Sequence, residues 1–293
     1  MSETTAGLRR KIDSAGDLQA VVRTMKALAA SSIVQYEQSV RALGDYTRTV
    51  ELGLSLCFRG NGPAASMTAS AVRRGAGAIS AVVFGSDQGL VGQFNDVVVD
   101  YALGALPAKP GVWAVGERVH AHLADAGVSP IGLFAVPNSV KGITPLVGQI
   151  LVQSETRLGQ GKVAELYLFY NRSGPGATYV PVSQRLLPLD ESWRRSLAGR
   201  SWPTGNLPEI VGGGNASLRA LIREYLFVSL FRACAESLAS ENASRLAAMQ
   251  RADRNIDEIL GELNGTFHRL RQSGIDEELF DVVSGFEALV GAR

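Results

Sequence analysis

The chain has 293 residues, with 29 Lys+Arg against 28 Asp+Glu and a formal net charge of +1. That balance gives no bulk electrostatic pull toward nucleic acid. Hydrophobic residues make up 46% of the chain, enough for a sizeable core in one or two domains. No run of about 18 apolar residues is present to span a membrane.

The N-terminus, MSETTAGLRRKID, lacks the apolar stretch of a signal peptide. Ser2, Thr4 or Thr5 can cap a first helix. From Ala6 to about Phe58 there is no proline. Ile33, Tyr36, Val40, Leu43, Thr47, Val50 and Leu54 alternate three and four apart, and Leu8, Ile12, Ala15, Val22, Met25 and Ala29 continue the stripe upstream. Arg9, Arg10 and Lys11 read either as a solvated helix face or as a contact for an acidic loop of a partner. Residues 1–60 are therefore expected to form one long helix, followed by a linker at 61–77 rich in Ala, Ser and Gly. Cys57 and Cys234 have no metal spacing and read as buried thiols, as in a reducing compartment.

A different pattern fills residues 78–189. Ala78–Phe84 is a short apolar run, the signal of a buried strand. A helix is expected at Asn95–Leu106, a strand at Val112–Val115, a helix at Glu117–Ala126, a strand at Ile131–Val136 and a helix at Thr144–Leu158. Thr144 is the expected cap of that last helix and Pro145 its first position. Ala164–Asn171 and Thr178–Leu189 read as a hairpin around Ser173, Gly174, Pro175 and Gly176. The alternation predicts a small α/β domain with a mainly parallel sheet. Residues 190–214, with Pro203, Gly205, Pro208 and three successive glycines, read as an irregular linker or foot.

Residues 215–293 contain no proline. Ala235, Ala239, Asn242, Leu246, Met249, Asp253, Ile256, Leu260, Leu263, Phe267 and Leu270 alternate four and three, a heptad seam. About 70 helical residues would extend roughly 100 Å, against roughly 50 Å for a compact domain of this size. The simplest arrangement is an antiparallel coiled coil of the two chain ends with the α/β domain inserted between them. Two ordinary core helices are the alternative. Asp253 interrupts the seam, and a covered charge there is expected to pair with a basic residue or to open the seam.

The chemical motifs are sparse. Gly85, Gly89 and Gly92 follow the first strand but do not make the dinucleotide fingerprint, and no lysine completes a phosphate cradle. Glu117 stands further from that turn than a ribose-binding acid should. A tight strand-to-helix turn accounts for these residues. His120 and His122 lie two apart and face different ways on a helix; His268 is a surface residue beside the seam. No Gly-x-Ser-x-Gly nucleophile elbow occurs, and no catalytic, cofactor or metal site is expected.

Longer stretches carry a family resemblance. They are Glu236–Met249 (ESLASENASRLAAM), Ala252, Asn255, Arg269–Gln272, Ile275, Glu278–Leu279 and Val283–Gly285. Leu8–Ile12, Met25–Ala30, Ser86–Leu90 with Gly92 and Asn95, and Leu186–Leu189 join them. Over nearly its full length the chain resembles the gamma-subunit family of F-type ATP synthases. The departures are Gln88 for the family's arginine, Val91 for its cysteine, Gln93 for its second glycine, Asp253-Arg254 for Thr-Asp, and Asp276 for a threonine; they suggest a divergent, alternate branch.

The resemblance implies a central-stalk rotor with no catalytic site of its own, peripheral on the cytoplasmic face of the bacterial membrane, in a complex that moves protons or sodium. It implies partners in the alpha and beta subunits of the catalytic hexamer, the epsilon subunit and the c-subunit ring. Met25, Lys26, Arg271 and Gln272 match positions that touch the beta subunit, and Trp202 and Glu209 lie in a segment matching the foot near the ring. The rival readings are a free-standing coiled-coil scaffold with an α/β head and a doubly wound nucleotide-binding enzyme.

Overall fold

The computed structural model describes residues 4–60, 78–107, 110–174, 177–206, 208–210 and 214–290. The expected linker at 61–77 lies outside them. Eleven elements follow in order: α1 (Thr5–Gly60), β1 (Ala78–Phe84), α2 (Phe94–Ala105), β2 (Gly111–Val115), α3 (Glu117–Asp125), β3 (Gly132–Phe134), α4 (Val140–Gly159), β4 (Val163–Gly174), β5 (Ala177–Leu187), α5 (Glu191–Ala198) and α6 (Gly214–Val290). The chain divides into two units, residues 29–245 and the two ends, 1–28 with 246–293.

The unit 29–245 is built on a five-stranded sheet of order β3-β2-β1-β4-β5. The first four strands pair in parallel and β5 runs antiparallel to β4. β1 is buried on both faces, as its unbroken apolar run requires of a central parallel strand. One face, through Ala81, Val83, Val112, Ala114 and Phe169, packs on Val98, Val99 and Ala102 of α2 and on Val119 and Leu123 of α3. The other face, through Val82, Phe84, Trp113, Val115 and Leu168, packs on α4 and on Leu226, Leu230, Phe231 and Cys234 of α6, with Tyr36 of α1. In this stretch the two long helices are therefore core helices of an α/β layer as well as partners of each other. Their pairing is antiparallel: Tyr46 donates its hydroxyl to Glu224 at 2.6 Å, and Val50 and Leu54 share a cluster with Leu218. Cys57 and Cys234 are free, buried thiols.

In the unit of the two ends, Val22 of α1 is buried against Met249 and Ile256 of α6, with Ala15, Met25, Ala252 and Leu260 packed around them. Thr4 is the residue that caps α1, its hydroxyl oxygen accepting from the Gly7 amide at 3.2 Å.

Two local expectations are corrected. The helix expected to start at Thr144–Pro145 begins one turn earlier, at Val140 after Ser139, because that extra turn carries Ile143 fully into the core. Pro145 then sits inside the helix near its start. The stretch 190–214 holds a helix, α5. The Asp190 carboxylate accepts from the Trp193 amide and caps it, while Leu197 is buried with Leu54 and Cys57 and Trp193 packs beside them.

The turn after β1 is the tightest place in the sheet. A methyl group on Gly85 would stand 2.0 Å from Val119 Cγ2 and 2.6 Å from Asn95 Oδ1. Gly85→Ala is expected to destabilise the chain by about 2 kcal/mol or more through overpacking, read as a lower urea midpoint. An unchanged midpoint would mean that α3 shifts freely away from β1.

Candidate functional site

The turn Ser86–Asn95 carries the glycine-rich stretch that follows β1, and its hydrogen bonds define what it can do. The Asn95 side-chain oxygen accepts from the Ser86 amide at 3.0 Å, and its Nδ2 donates to Ser86 Oγ at 2.9 Å. Asp87 accepts from the Glu117 amide through Oδ1 at 3.0 Å and from the Val136 amide through Oδ2 at 2.9 Å. The Arg118 amide donates to the Ser86 carbonyl at 3.0 Å. Asp87 thus ties together the chain segments that leave β1, β2 and β3. Gly116 is needed at that junction: its φ is 113° and a Cβ would meet the Ser86 carbonyl oxygen at 2.7 Å.

The amides of Ser86, Glu117, Arg118 and Val136 are thus held by the protein's own oxygens. Where the strand order reverses, beside β1 and β4, doubly wound sheets commonly seat a ligand. Here Asn171 Nδ2 donates to the Phe94 carbonyl at 2.8 Å, and Ser244 of α6 donates to the Val91 carbonyl at 2.5 Å. The turn expected from the sequence to be a tight strand-to-helix connection is also tied to α6 through Ser244.

The paired chain ends present a different kind of site. Asp253 is 13% exposed at its side chain and takes Lys26 Nζ at 2.6 Å and Arg23 Nε at 3.2 Å. One turn on, Gln19 is buried and donates Nε2 to Asp257 at 2.5 Å. The expected basic partner of Asp253 is therefore present, and there are two of them. Away from this seam the helices leave large apolar side chains in the open: Leu18, Val21 and Leu28 on α1, and Ile275, Leu279, Phe280, Val282 and Val283 on α6. Such unpartnered side chains at helical spacing suit docking against another protein surface.

A family model described as ATP synthase matches residues 4–289. The chain belongs to the ATP synthase gamma-chain family. It is 24% identical to the ATP synthase gamma chain of Polynucleobacter asymbioticus over 296 residues, covering 98% of this chain and 99% of that one. It is 26% identical to the gamma chain of Nitrosomonas eutropha over 297 residues, covering 96% and 98%. Among solved structures it resembles the rotor of the Euglena gracilis mitochondrial ATP synthase, with TM-score 0.63 and 16% identity over 92% of this chain and 98% of that one. It also resembles a chain of the Tetrahymena thermophila central stalk and c-ring, with TM-score 0.57 and 21% identity over 79% and 99%. Both likenesses show the fold: long N- and C-terminal helices around a mainly parallel sheet.

Within this gamma-chain fold the six sequence-predicted contact residues fall in three places. Met25 is half-buried against the Val22–Met249–Ile256 cluster, and its neighbour Lys26 is held by Asp253. Arg271 lines a recess of about 450 Å³ with Thr5, Arg9 and Phe267, and Gln272 beside it is exposed. Arg9 is some 16 residues from Met25 along α1, roughly 24 Å, so the two pairs are separate stations on one helix pair. Trp202 is half-buried and Glu209 exposed in the segment after α5, within the unit 29–245. Sequence reasoning missed Gln19 and Asp257. The available signal was the gap in the apolar stripe between Ala15 and Val22, which Gln19 fills.

Lys26 holds the Asp253 carboxyl below its usual range; slight burial opposes this, and Arg23 adds to the lowering. The folded value thus lies below the unfolded value near 4. The contribution of the pair is complete above about pH 5 and is lost as pH falls through the folded value. Asp253→Asn is expected to lower the melting temperature at neutral pH, with the gap to wild type closing below about pH 4. A gap of constant size from pH 7 to pH 3 would show that ionised Asp253 contributes nothing to the pairing.

Proposed function

We infer that the chain is the central-stalk rotor of an F-type ATP synthase, turning ion-driven rotation of a membrane ring into conformational change at catalytic sites on another subunit. The observation that carries this reading is the antiparallel pairing of the two chain ends through an apolar seam, in a chain that the family model matches over residues 4–289. Two paired helices resist bending and twisting better than one, as a torque-bearing element must. Their exposed apolar side chains, Leu18, Val21 and Leu28 with Phe280 and Val283, would bear against a surrounding sleeve.

The sleeve is the hexamer of alpha and beta subunits, with epsilon and the c-subunit ring as the partners at the other end. ATP chemistry then belongs to the beta subunits, and the gamma chain carries the coupling between their sites. The rotor sits peripherally on the cytoplasmic face of the bacterial membrane, in keeping with described helices none of which is long and apolar enough to cross one. Arg271 and Gln272 form one contact with a beta subunit, Arg271 by forking to a carboxylate. Met25 and Lys26 form a second, in which Lys26 shares its charge between Asp253 and the partner. Trp202 and Glu209 belong to the foot near the ring. Protons or sodium are the transported ion.

Co-expression with the alpha and beta subunits of an F-type ATP synthase from the same source is the direct test. The chain is expected to co-elute with them and, alone, to form no stable homo-oligomer. A well-behaved homo-oligomer that ignores both subunits would mean a scaffold instead. Within the complex, Met25→Lys adds a third cation around Asp253 and is expected to cut ATP-driven ion pumping more than ATP hydrolysis. Equal pumping by the variant and the wild type would remove Met25 from the coupling contact.

A further inference from the structure

Within the unit 29–245, a cavity of about 340 Å³ opens between α1, α6 and the turn after β1. Its mostly polar wall includes Tyr36, Asp87, Gln88, Glu241, Asn242 and Arg245. Neither the rotor reading nor the turn's own hydrogen bonds account for it. Its centre of interest is Glu241, which is 5% exposed. One carboxylate oxygen, Oε1, accepts from Arg245 at 2.6 Å. The other, Oε2, is buried and has no hydrogen-bond partner among the described residues, and an orphaned buried acceptor is costly to keep.

The charges do not balance either. One guanidinium, that of Arg245, faces two carboxylates, those of Glu241 and Asp87. Burial pushes the Glu241 carboxyl above its usual range, Arg245 pulls it part-way back, and Asp87 adds to the rise. Asn242 donates one Nδ2 hydrogen to the Leu238 carbonyl at 2.8 Å, and its side-chain oxygen remains an acceptor for a guest. The cavity is thus acceptor-rich and short of one positive charge.

The cavity has room for a group much larger than one water, whose share of volume is about 30 Å³. No group of three or more His, Cys, Asp or Glu suited to a metal ion occurs among the described residues. A planar guanidinium sheds water more readily than an ammonium and bridges two acceptors at once. We propose that this cavity is a receptor for a guanidinium group, which forks between the free oxygen of Glu241 and the side-chain oxygen of Asn242. The group comes either from a small free guanidine or from an arginine side chain of a neighbouring subunit. The proposal does not depend on the rotor assignment.

The test is a calorimetric titration of the full-length chain with agmatine, with its neutral ureido counterpart N-carbamoylputrescine, and with potassium chloride at matched ionic strength. Saturable binding of one agmatine is expected, with none for the other two. Glu241→Gln is expected to weaken agmatine by about tenfold or more, because it removes one member of a covered charge pair. Gln88 is exposed at the rim, so Gln88→Arg does not endanger the fold. It supplies a guanidinium from the chain itself and is expected to abolish agmatine binding while raising the melting temperature. Repeating the titration on the chain assembled with its ATP synthase partners separates the two sources. Retained binding identifies a small free guanidine, and lost binding identifies a partner's arginine. Equal binding of the ureido compound, no saturable binding of agmatine to the free chain, or unchanged binding in Gln88→Arg would each overturn the proposal.

Discussion

Asp253 stands where an apolar seam would carry an aliphatic side chain, and its carboxylate sets the register of the two chain ends. The apolar residues around it supply most of the association energy. Val22, Met249 and Ile256 are all buried, and a fully buried side chain of that size is worth roughly 1.5–3 kcal/mol. Aliphatic contacts are indifferent to a shift of one heptad, since the same stripe recurs. A carboxylate held by Lys26 at 2.6 Å and Arg23 at 3.2 Å is not indifferent. Sliding α6 along α1 by seven residues would leave Asp253 covered and unpaired, which is strongly unfavourable. The Gln19–Asp257 bond, one turn away, penalises the same slip. Apolar area therefore drives the pairing and two polar rungs choose the register, the division of labour seen when a single polar residue is placed in a coiled-coil seam.

The same helices do different work closer to the sheet. There, Tyr36 of α1 and Leu230, Phe231 and Ala235 of α6 join the strand side chains Val82, Phe84 and Leu168 in one cluster. Small residues on α6, such as Ala233, Ala235 and Ala239, are almost wholly covered. They permit the close approach that a slim helix pair needs where it also packs against a third layer. A heptad stripe on each helix serves both settings, because an apolar face at that spacing suits a partner helix and a sheet alike.

That double use explains how much of the molecule was legible in the sequence. Long unbroken apolar patterns gave the helix limits to within a residue or two, and the order strand–helix–strand predicted a mainly parallel sheet because such crossovers leave little choice. Places where a local signal competed with burial were misread. Thr144-Pro145 looks like a helix start, but Ile143 has to be buried, and the extra turn that buries it outweighs the ring's disfavour inside a helix. α5 was hidden among prolines and glycines because eight residues are too few to show a period; what holds it is the Asp190 cap and the seating of Trp193 and Leu197. Gln19 was passed over because a polar residue counts against an apolar stripe, although its partner, Asp257, stands across the seam.

The glycine-rich turn shows why the residues of a site say less than the bonds they make. Ser86, Asp87, Gly89, Gly92 and Asn95 are the residue types of a phosphate loop, and a carboxylate among them, taken alone, argues for a ribose or a metal. In the fold, Asp87 is occupied by two backbone amides from two different crossover segments. It does for the ends of β2 and β3 what a capping residue does for a helix. Each of its oxygens already accepts one backbone hydrogen. The consequence appears on the next layer. Glu241 of α6 feels the charge of Asp87, is buried, and has only one of its own oxygens answered by Arg245. The carboxylate that orders three loop ends thus adds its charge to the surroundings of a second carboxylate, which no described residue of the chain fully satisfies.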